Sequence, residues 1–319
     1  MNKDMIEITA PSRLHITLID LNGALGRIDG GVGLTLDSPS IKIQVKRHDG
    51  ISISGTDTFE DRIKHIVEAV ATKHEVPGAA IRVVEEYRSH VGLGAGTQVA
   101  LAVATGINQL YDLNIGLHKL ARLTGRGGTS GIGVAAYEFG GFIVDGGHKN
   151  KGAFLPSSAS QAYSPAPVLV RYEFPEWNMV LAIPYLQGAS DMPEIDIFQQ
   201  ECPIPLNEVQ ALCHVVLMEM LPSIVEEDIE GFGRSISRIQ VLGFKRRELA
   251  LQPFCKSLID FMNENGALGA GMSSFGPTVY AISDEKQLKP TVQRFLNETV
   301  GGEVHLVKAR NEGARVVKL

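Results

Sequence analysis

The stretch His90-Val91-Gly92-Leu93-Gly94-Ala95-Gly96-Thr97-Gln98 runs directly into TQVALAVATGINQLY, residues 97–111, which is nearly all apolar and rich in alanine. That composition predicts a helix buried on most sides, opened by a glycine-rich turn. Such a turn offers unpaired backbone N–H groups and the positive end of a helix dipole, both of which favour a phosphate. No GK[ST] follows, so it is not a Walker A loop, and no acidic residue closes a second strand about 20 residues on, as a dinucleotide fingerprint requires. A second glycine-rich segment, Gly266-Ala267-Leu268-Gly269-Ala270-Gly271-Met272-Ser273-Ser274-Phe275-Gly276-Pro277, lies far away in the chain. Two such loops predict either a cleft with backbone donors on both walls or two tight turns at a domain junction.

Working outward, Ile41–Lys46 alternates apolar and polar residues as a half-buried strand does, and residues 13–20 and 80–87 read the same way. Ile63, Ile66, Val67 and Val70 recur at helical spacing, which predicts a helix over 59–75. Further helices are expected at 116–124, 129–138, 206–219, 223–240, 253–264 and 285–298. Strands are expected at 141–145, 179–183, 278–282 and 303–308, and an irregular connection between 149 and 167. Together these predict an α+β chain of two domains, 1–174 and 175–319.

Composition limits the function. Thirty Lys and Arg against 36 Asp and Glu leave a net charge of −6 over 319 residues, which argues against a general nucleic-acid partner. A small anionic substrate needs just a few local cations and stays open. The opening MNKDMIEITAPSR lacks a basic segment followed by an apolar one, and no apolar run of about 18 residues is seen. No secretory signal and no membrane span are therefore expected. Cys202, Cys213 and Cys255 are odd in number and lack CxxC spacing, so three cytoplasmic thiols are expected rather than disulfides or a zinc site. The 34 glycines exceed the usual ~7% and cluster where backbone must approach something closely.

A strand carrying Ala10-Pro11-Ser12-Arg13, a central GLGxG loop before a buried helix, and a late glycine loop together resemble the GHMP small-molecule kinase superfamily. The resemblance implies an amino-terminal domain like the second domain of ribosomal protein S5 and a ferredoxin-like carboxy-terminal domain. Two departures weaken a kinase reading. Ala95 and Gly96 stand where the kinases usually continue into phosphate-holding serines. Ser130-Gly131-Ile132 leads to Gly133, where a kinase with a catalytic base would carry aspartate. A narrower likeness lies in Pro11–Gly23, Gly26–Leu34, Gly125–Gly133 and Phe142–His148. These resemble the β-ribofuranosylaminobenzene 5′-phosphate synthase family of archaeal methanopterin biosynthesis.

That resemblance implies a homodimeric, magnesium-dependent pentosyltransferase. It would condense 4-aminobenzoate or 4-hydroxybenzoate with phosphoribosyl pyrophosphate and release carbon dioxide and pyrophosphate. Asp20, Arg27 and Arg126 are the expected catalytic residues. Arg13, His15, Gly92, Gly94, Gly96, Thr97, Gly269, Gly271, Ser273, His148 and Lys149 are expected to bind substrate. Asp20, Asp29 and Asp145 are the candidates for Mg2+, which takes one or two carboxylates beside substrate phosphates. Each has a duller alternative. Arg13 and His15 share a strand face that is either a ligand wall or a solvated one. Asp20 and Arg27 flank the turn signal Asn22-Gly23 and form either a local ion pair or a substrate-binding pair. Asp145 either meets the metal or caps a turn. The usual two-acid phosphoribosyltransferase signature is missing, so the pyrophosphate would fall to the glycine loops. The rival readings are a GHMP-type ATP-dependent kinase and a binding protein that kept the cleft without the chemistry.

Overall fold

Alternation in the amino-terminal segment builds one long hairpin. β1 (Met5–Asp20) and β2 (Arg27–Arg47) pair antiparallel from Met5↔Lys46 to Asp20↔Asp29 in the computed structural model, which describes residues 5–149, 154–156, 164–186, 192–283 and 287–319. β3 (Gly50–Ser54), α1 (Glu60–His74) and β4 (Gly78–Glu85) form a strand–helix–strand unit with the two strands parallel. Ile63, Ile66, Val67 and Val70 are the buried face of α1, as their spacing predicts. α2 (Ala95–Leu110) packs across β1 and β2 and is buried along most of its length. Gly106 lets it approach the sheet, because a Cβ there would stand 2.4 Å from Val45 Cγ2.

α3 (Leu117–Leu123) and α4 (Ile132–Phe139) flank α2. β5 (Phe142–Asp145) and β6 (His148–Lys149) add to β2, and β7 (Val168–Tyr172) adds to β5. The chain then leaves this sheet for a second one, beginning with β8 (Met179–Pro184). α5 (Met192–Glu201), α6 (Leu206–Val215), α7 (Leu221–Val225), α8 (Ile229–Ile239), α9 (Gly243–Ala250) and α10 (Pro253–Glu264) follow. β9 (Gly269–Met272), β10 (Val279–Ile282), α11 (Leu288–Glu298) and β11 (Gly302–Val307) complete a four-stranded antiparallel sheet ordered β11-β8-β10-β9. That order, with the fourth and third strands flanking the first, is ferredoxin-like. The last strand, β12 (Arg315–Lys318), returns to pair with β1, so the chain from 175 onward contributes to both sheets.

Three expectations need correction. The helix expected over 223–240 is two helices: Glu227 adopts φ +56°, and the Asp228 carboxylate caps Gly231 N at 2.9 Å to start α8 afresh. The helix expected over 206–219 continues through a π-helical segment, Val216–Met220, into α7. The resulting run Leu206–Val225 is long and apolar enough to cross a membrane by length and composition, but Glu208 and Glu219 interrupt it, so it is not the unbroken apolar run that the sequence was expected to lack. Leu212, Val216, Met220 and Ile224 of this run pack into the main core. Finally, the segment 266–277 is not one loop, because Gly269–Met272 is the buried edge strand β9.

Candidate active site

The two glycine turns meet, and β1 runs between them. Gly92 adopts φ +87°, and a Cβ there would lie 2.3 Å from Ser273 O. The Ser273 hydroxyl donates to Gly92 O at 2.8 Å, and Thr278 N donates to Val91 O at 3.3 Å. On β1, Arg13 N donates to Leu93 O at 3.2 Å, and the Arg13 guanidinium donates to Gly92 O. His15 N donates to the Ser273 hydroxyl at 3.0 Å, while Ser274 N donates to His15 O at 2.8 Å. Arg13, His15, Gly92 and Ser273 are thus brought together as a wall of the cleft. Gly94 joins them, since a Cβ there would stand 3.2 Å from the Arg13 guanidinium carbon.

Other loop residues take different places. Gly96 lies under Arg62 of α1, and Thr97 packs against Gly133. Gly269 and Gly271, expected to touch substrate, instead serve packing inside the second sheet. A Cβ on Gly269 would stand 1.9 Å from Gly233 O of α8, and one on Gly271 would stand 2.6 Å from Gln240 Nε2. Gly269 lets the strand and helix backbones touch, while Gly271 leaves room for the Gln240 side chain and the Tyr280 hydroxyl.

Beside Arg13 and His15 opens a pocket of about 180 Å³, also lined by Ser130, Phe198, Glu248 and Phe275. Burial pulls the Arg13 guanidinium down to about 10. Burial, together with the charges of Arg13 and Lys245, holds His15 well below the usual imidazole range, so the ring is neutral. Lys245 and Glu248 are fully buried and ion-paired on α9, and Lys245 Nζ also donates to Met272 O at 3.2 Å and Ser274 O at 3.1 Å. Sequence reasoning missed this pair. Lysine and glutamate three apart on a helix read as a surface pair, and nothing in GFKRRELA marks them as buried.

A second group gathers at the tip of the hairpin. Asp20 and Asp29 are cross-strand partners, a like-charge placement that is unfavourable unless a cation offsets it. Asp20 Oδ1 accepts from Asn22 N at 2.8 Å and Gly23 N at 2.9 Å. Arg27 does not pair with Asp20 among the described residues; it donates to Gly146 O at 2.8 Å and Gly147 O at 2.7 Å. Asp29 meets His148 Nδ1 at 3.0 Å. Burial raises the Asp29 carboxyl, and the Asp29 hydrogen bond raises His148. Lys149 lies opposite Arg27 in the ladder between β2 and β6. Arg126 N closes the turn after α3 on Ala121 O at 2.7 Å, and its Nε is buried without a hydrogen-bond partner.

Asp145 is a turn-capping residue rather than an open metal ligand. It is fully buried, and its two oxygens accept from Gly131 N at 3.1 Å and Gly147 N at 2.9 Å. It joins the two groups of residues, because a Cβ on Gly31 would lie 2.9 Å from Asp145 Oδ2 and 3.0 Å from the Ser130 hydroxyl. That hydroxyl in turn lies 3.1 Å from His15 Nε2. Burial pushes the Asp145 carboxyl up to about 7. A carboxyl raised on folding contributes stability below its ordinary value near 4, and that contribution is lost as pH rises through the folded value. At ~1.4 kcal/mol per unit, the stability of the wild-type protein should fall by a few kcal/mol between pH 4 and pH 7. Asp145→Asn should flatten this slope in urea unfolding, with Asp29 and Glu248, also raised by burial, supplying the remainder. An unchanged slope would remove Asp145 from the account.

Comparison with known proteins agrees with this fold. Residues 61–141 match the GHMP kinases N terminal domain, and residues 220–301 match the GHMP kinases C terminal domain. A β-ribofuranosylphenol 5′-phosphate synthase of Archaeoglobus fulgidus is 46% identical over 98% of this chain and 99% of its own. The enzyme of the same name from Methanocaldococcus jannaschii is 42% identical over 97% and 99%. Among solved structures, a mevalonate kinase of L. major in complex with R-mevalonate superposes with a TM-score of 0.70 at 12% identity, covering 96% of each chain. A homoserine kinase from Cytophaga hutchinsonii gives 0.67 at 16% identity, covering 99% and 98%. These structural likenesses speak to the fold alone. The fold, the meeting of the two glycine turns and the full-length identity to the archaeal enzymes lead to one conclusion: this chain belongs to the β-ribofuranosylphenol 5′-phosphate synthase family, within the GHMP kinase superfamily.

Proposed function

We propose that this chain joins the ribose 5-phosphate unit of phosphoribosyl pyrophosphate to the ring of 4-hydroxybenzoate, in the pathway to methanopterin. The bond from ribose C1 to the pyrophosphate oxygen breaks, and the ring carbon bearing the carboxylate supplies an electron pair to C1. The bond from that carbon to the carboxylate then breaks, its electrons restore the aromatic ring, and carbon dioxide leaves. The observation that carries this reading is full-length identity of 42–46% to three archaeal enzymes of that name. Gly133 supports it. At the position of the kinase aspartate the chain has no carboxylate, and a Cβ there would sit in tight contact with Thr97 Cγ2 at 3.1 Å.

Pyrophosphate departure needs positive potential more than a protein nucleophile. We assign this role to Arg27 and Arg126, with the N–H groups of the glycine turn before α2; Lys149 and His148 lie opposite Arg27 and Ile28 in the ladder. Asp20 and Asp29, cross-strand partners at the hairpin tip, are the carboxylates assigned to Mg2+, with His148 already on Asp29; Asp145 has both oxygens bound to backbone. When bound there, the metal would offset charge on the pyrophosphate.

Incubation with phosphoribosyl pyrophosphate, Mg2+ and either 4-hydroxybenzoate or 4-aminobenzoate tests the reading. Carbon dioxide and pyrophosphate should appear in equal amounts, with the hydroxy acid as the better substrate. ATP consumption with a small alcohol, and no pyrophosphate, would install the kinase reading instead. Arg27→Ala should lower kcat by about 100-fold or more. Arg27 is exposed, so the unfolding midpoint should stay near that of the wild type.

A further inference from the structure

Among the described residues, the pocket beside Arg13 combines features that a phosphate-binding cleft does not need. Its volume of about 180 Å³ is close to the ~150 Å³ cavity that admits benzene, and small for a sugar carrying phosphate at both ends. One wall is aromatic: Phe198 and Phe275 have ring centroids 6.4 Å apart, and Phe244 lies behind at 4.6 Å from Phe198. Leu18 of β1 lines the same space. The opposite wall is charged. Arg13 and Glu248 line it; Glu248 is paired from behind with Lys245, Arg13 has no carboxylate partner among the described residues, and His15 is neutral. A surplus of one positive charge remains, and Arg13 Nε and His15 Nδ1 are buried without a hydrogen-bond partner. A buried surplus charge is costly unless a counter-ion joins it.

We propose that this pocket is the aromatic-acid subsite: Phe198 and Phe275 hold the ring, and the surplus cation at Arg13 holds the single carboxylate. The assignment rests on the function proposed above, and it makes Phe198 a specificity residue. Ser130 lines the pocket, and the next residue, Gly131, donates to the Asp145 carboxylate that also caps Gly147 beside the hairpin tip, which links this subsite to the residues assigned to the pyrophosphate.

Steady-state kinetics with both substrates varied tests it. Phe198→Trp, which fills the pocket, should raise KM for 4-hydroxybenzoate at least about tenfold and leave KM for phosphoribosyl pyrophosphate nearly unchanged. Phe198→Leu, kept as a folding control, should move the same KM less. For the charged wall, 4-hydroxybenzyl alcohol should inhibit the wild type far more weakly than 4-hydroxybenzoate binds it, and Arg13→Met should erase that difference. A shift confined to KM for phosphoribosyl pyrophosphate, or no shift in either, overturns the subsite. So does equal binding of the alcohol and the acid by the wild type. Failure of the wild type to release pyrophosphate with either benzoate would instead overturn the underlying function.

Discussion

Gly92→Ala is expected to abolish turnover and to lower the unfolding midpoint by several degrees, more than any other single methyl group added in the two turns. Two separate costs combine. At φ +87° an alanine is strained by roughly 1–2 kcal/mol. The new Cβ would also stand 2.3 Å from Ser273 O, a backbone atom that cannot swing aside as a side chain can. The turns must therefore separate. Separation breaks the bond from the Ser273 hydroxyl to Gly92 O and loosens His15 N from the same hydroxyl. Gly94→Ala is the informative comparison. Its φ of +82° carries similar strain, but the nearest atoms belong to the flexible Arg13 side chain at 3.2 Å. That variant should lose less stability and should show its effect mainly as a raised KM. Thermal unfolding and initial rates on both variants decide the matter, and wild-type turnover in Gly92→Ala would refute the claim that the meeting of the turns forms the site.

How much of this was legible beforehand depends on the kind of signal. The burial of α2 and the inward face of α1 follow from periodicity, which is local, so the expected elements appear near their expected places. The meeting of Gly92 with Ser273 is a long-range fact, foreshadowed by two glycine-rich segments but not fixed by them. Gly269 and Gly271 illustrate the ambiguity, because glycine demanded by helix–strand contact looks the same in sequence as glycine demanded by a ligand. Asp20, Arg27 and Asp145 were open between turn chemistry and substrate chemistry. The structure gives Asp20 and Asp145 clear capping bonds and turns Arg27 toward backbone carbonyls rather than toward Asp20. The split between α7 and α8 hinges on one left-handed residue, Glu227, in the polar stretch EED, a combination that periodicity does not register. β12 was invisible for another reason: a short exposed edge strand such as RVVK carries almost no pattern until β1 is there to receive it.

Lys245→Met carries the second large expectation. Lys245 and Glu248 are 0% and 1% exposed, so removing the ammonium takes from the buried carboxylate its ion-pair partner and leaves it the more distant charge of Arg13. Breaking such a pair from one side typically costs about 3–5 kcal/mol. Glu248→Gln should be milder, because Lys245 keeps its bonds to Met272 O and Ser274 O. The double variant Lys245→Met with Glu248→Leu exchanges the pair for apolar groups and should recover most of the lost stability, so the double-mutant cycle should report strong coupling. Activity should not recover with it. The ammonium also ties the carbonyls of Met272 and Ser274, and that tie fixes the late turn whose Ser274 N bonds His15 O. Urea unfolding and turnover measured on the same four proteins separate the two roles: recovery of both together would reduce the pair to a packing element, whereas stability without turnover would place Lys245 as the residue that positions the late turn against β1.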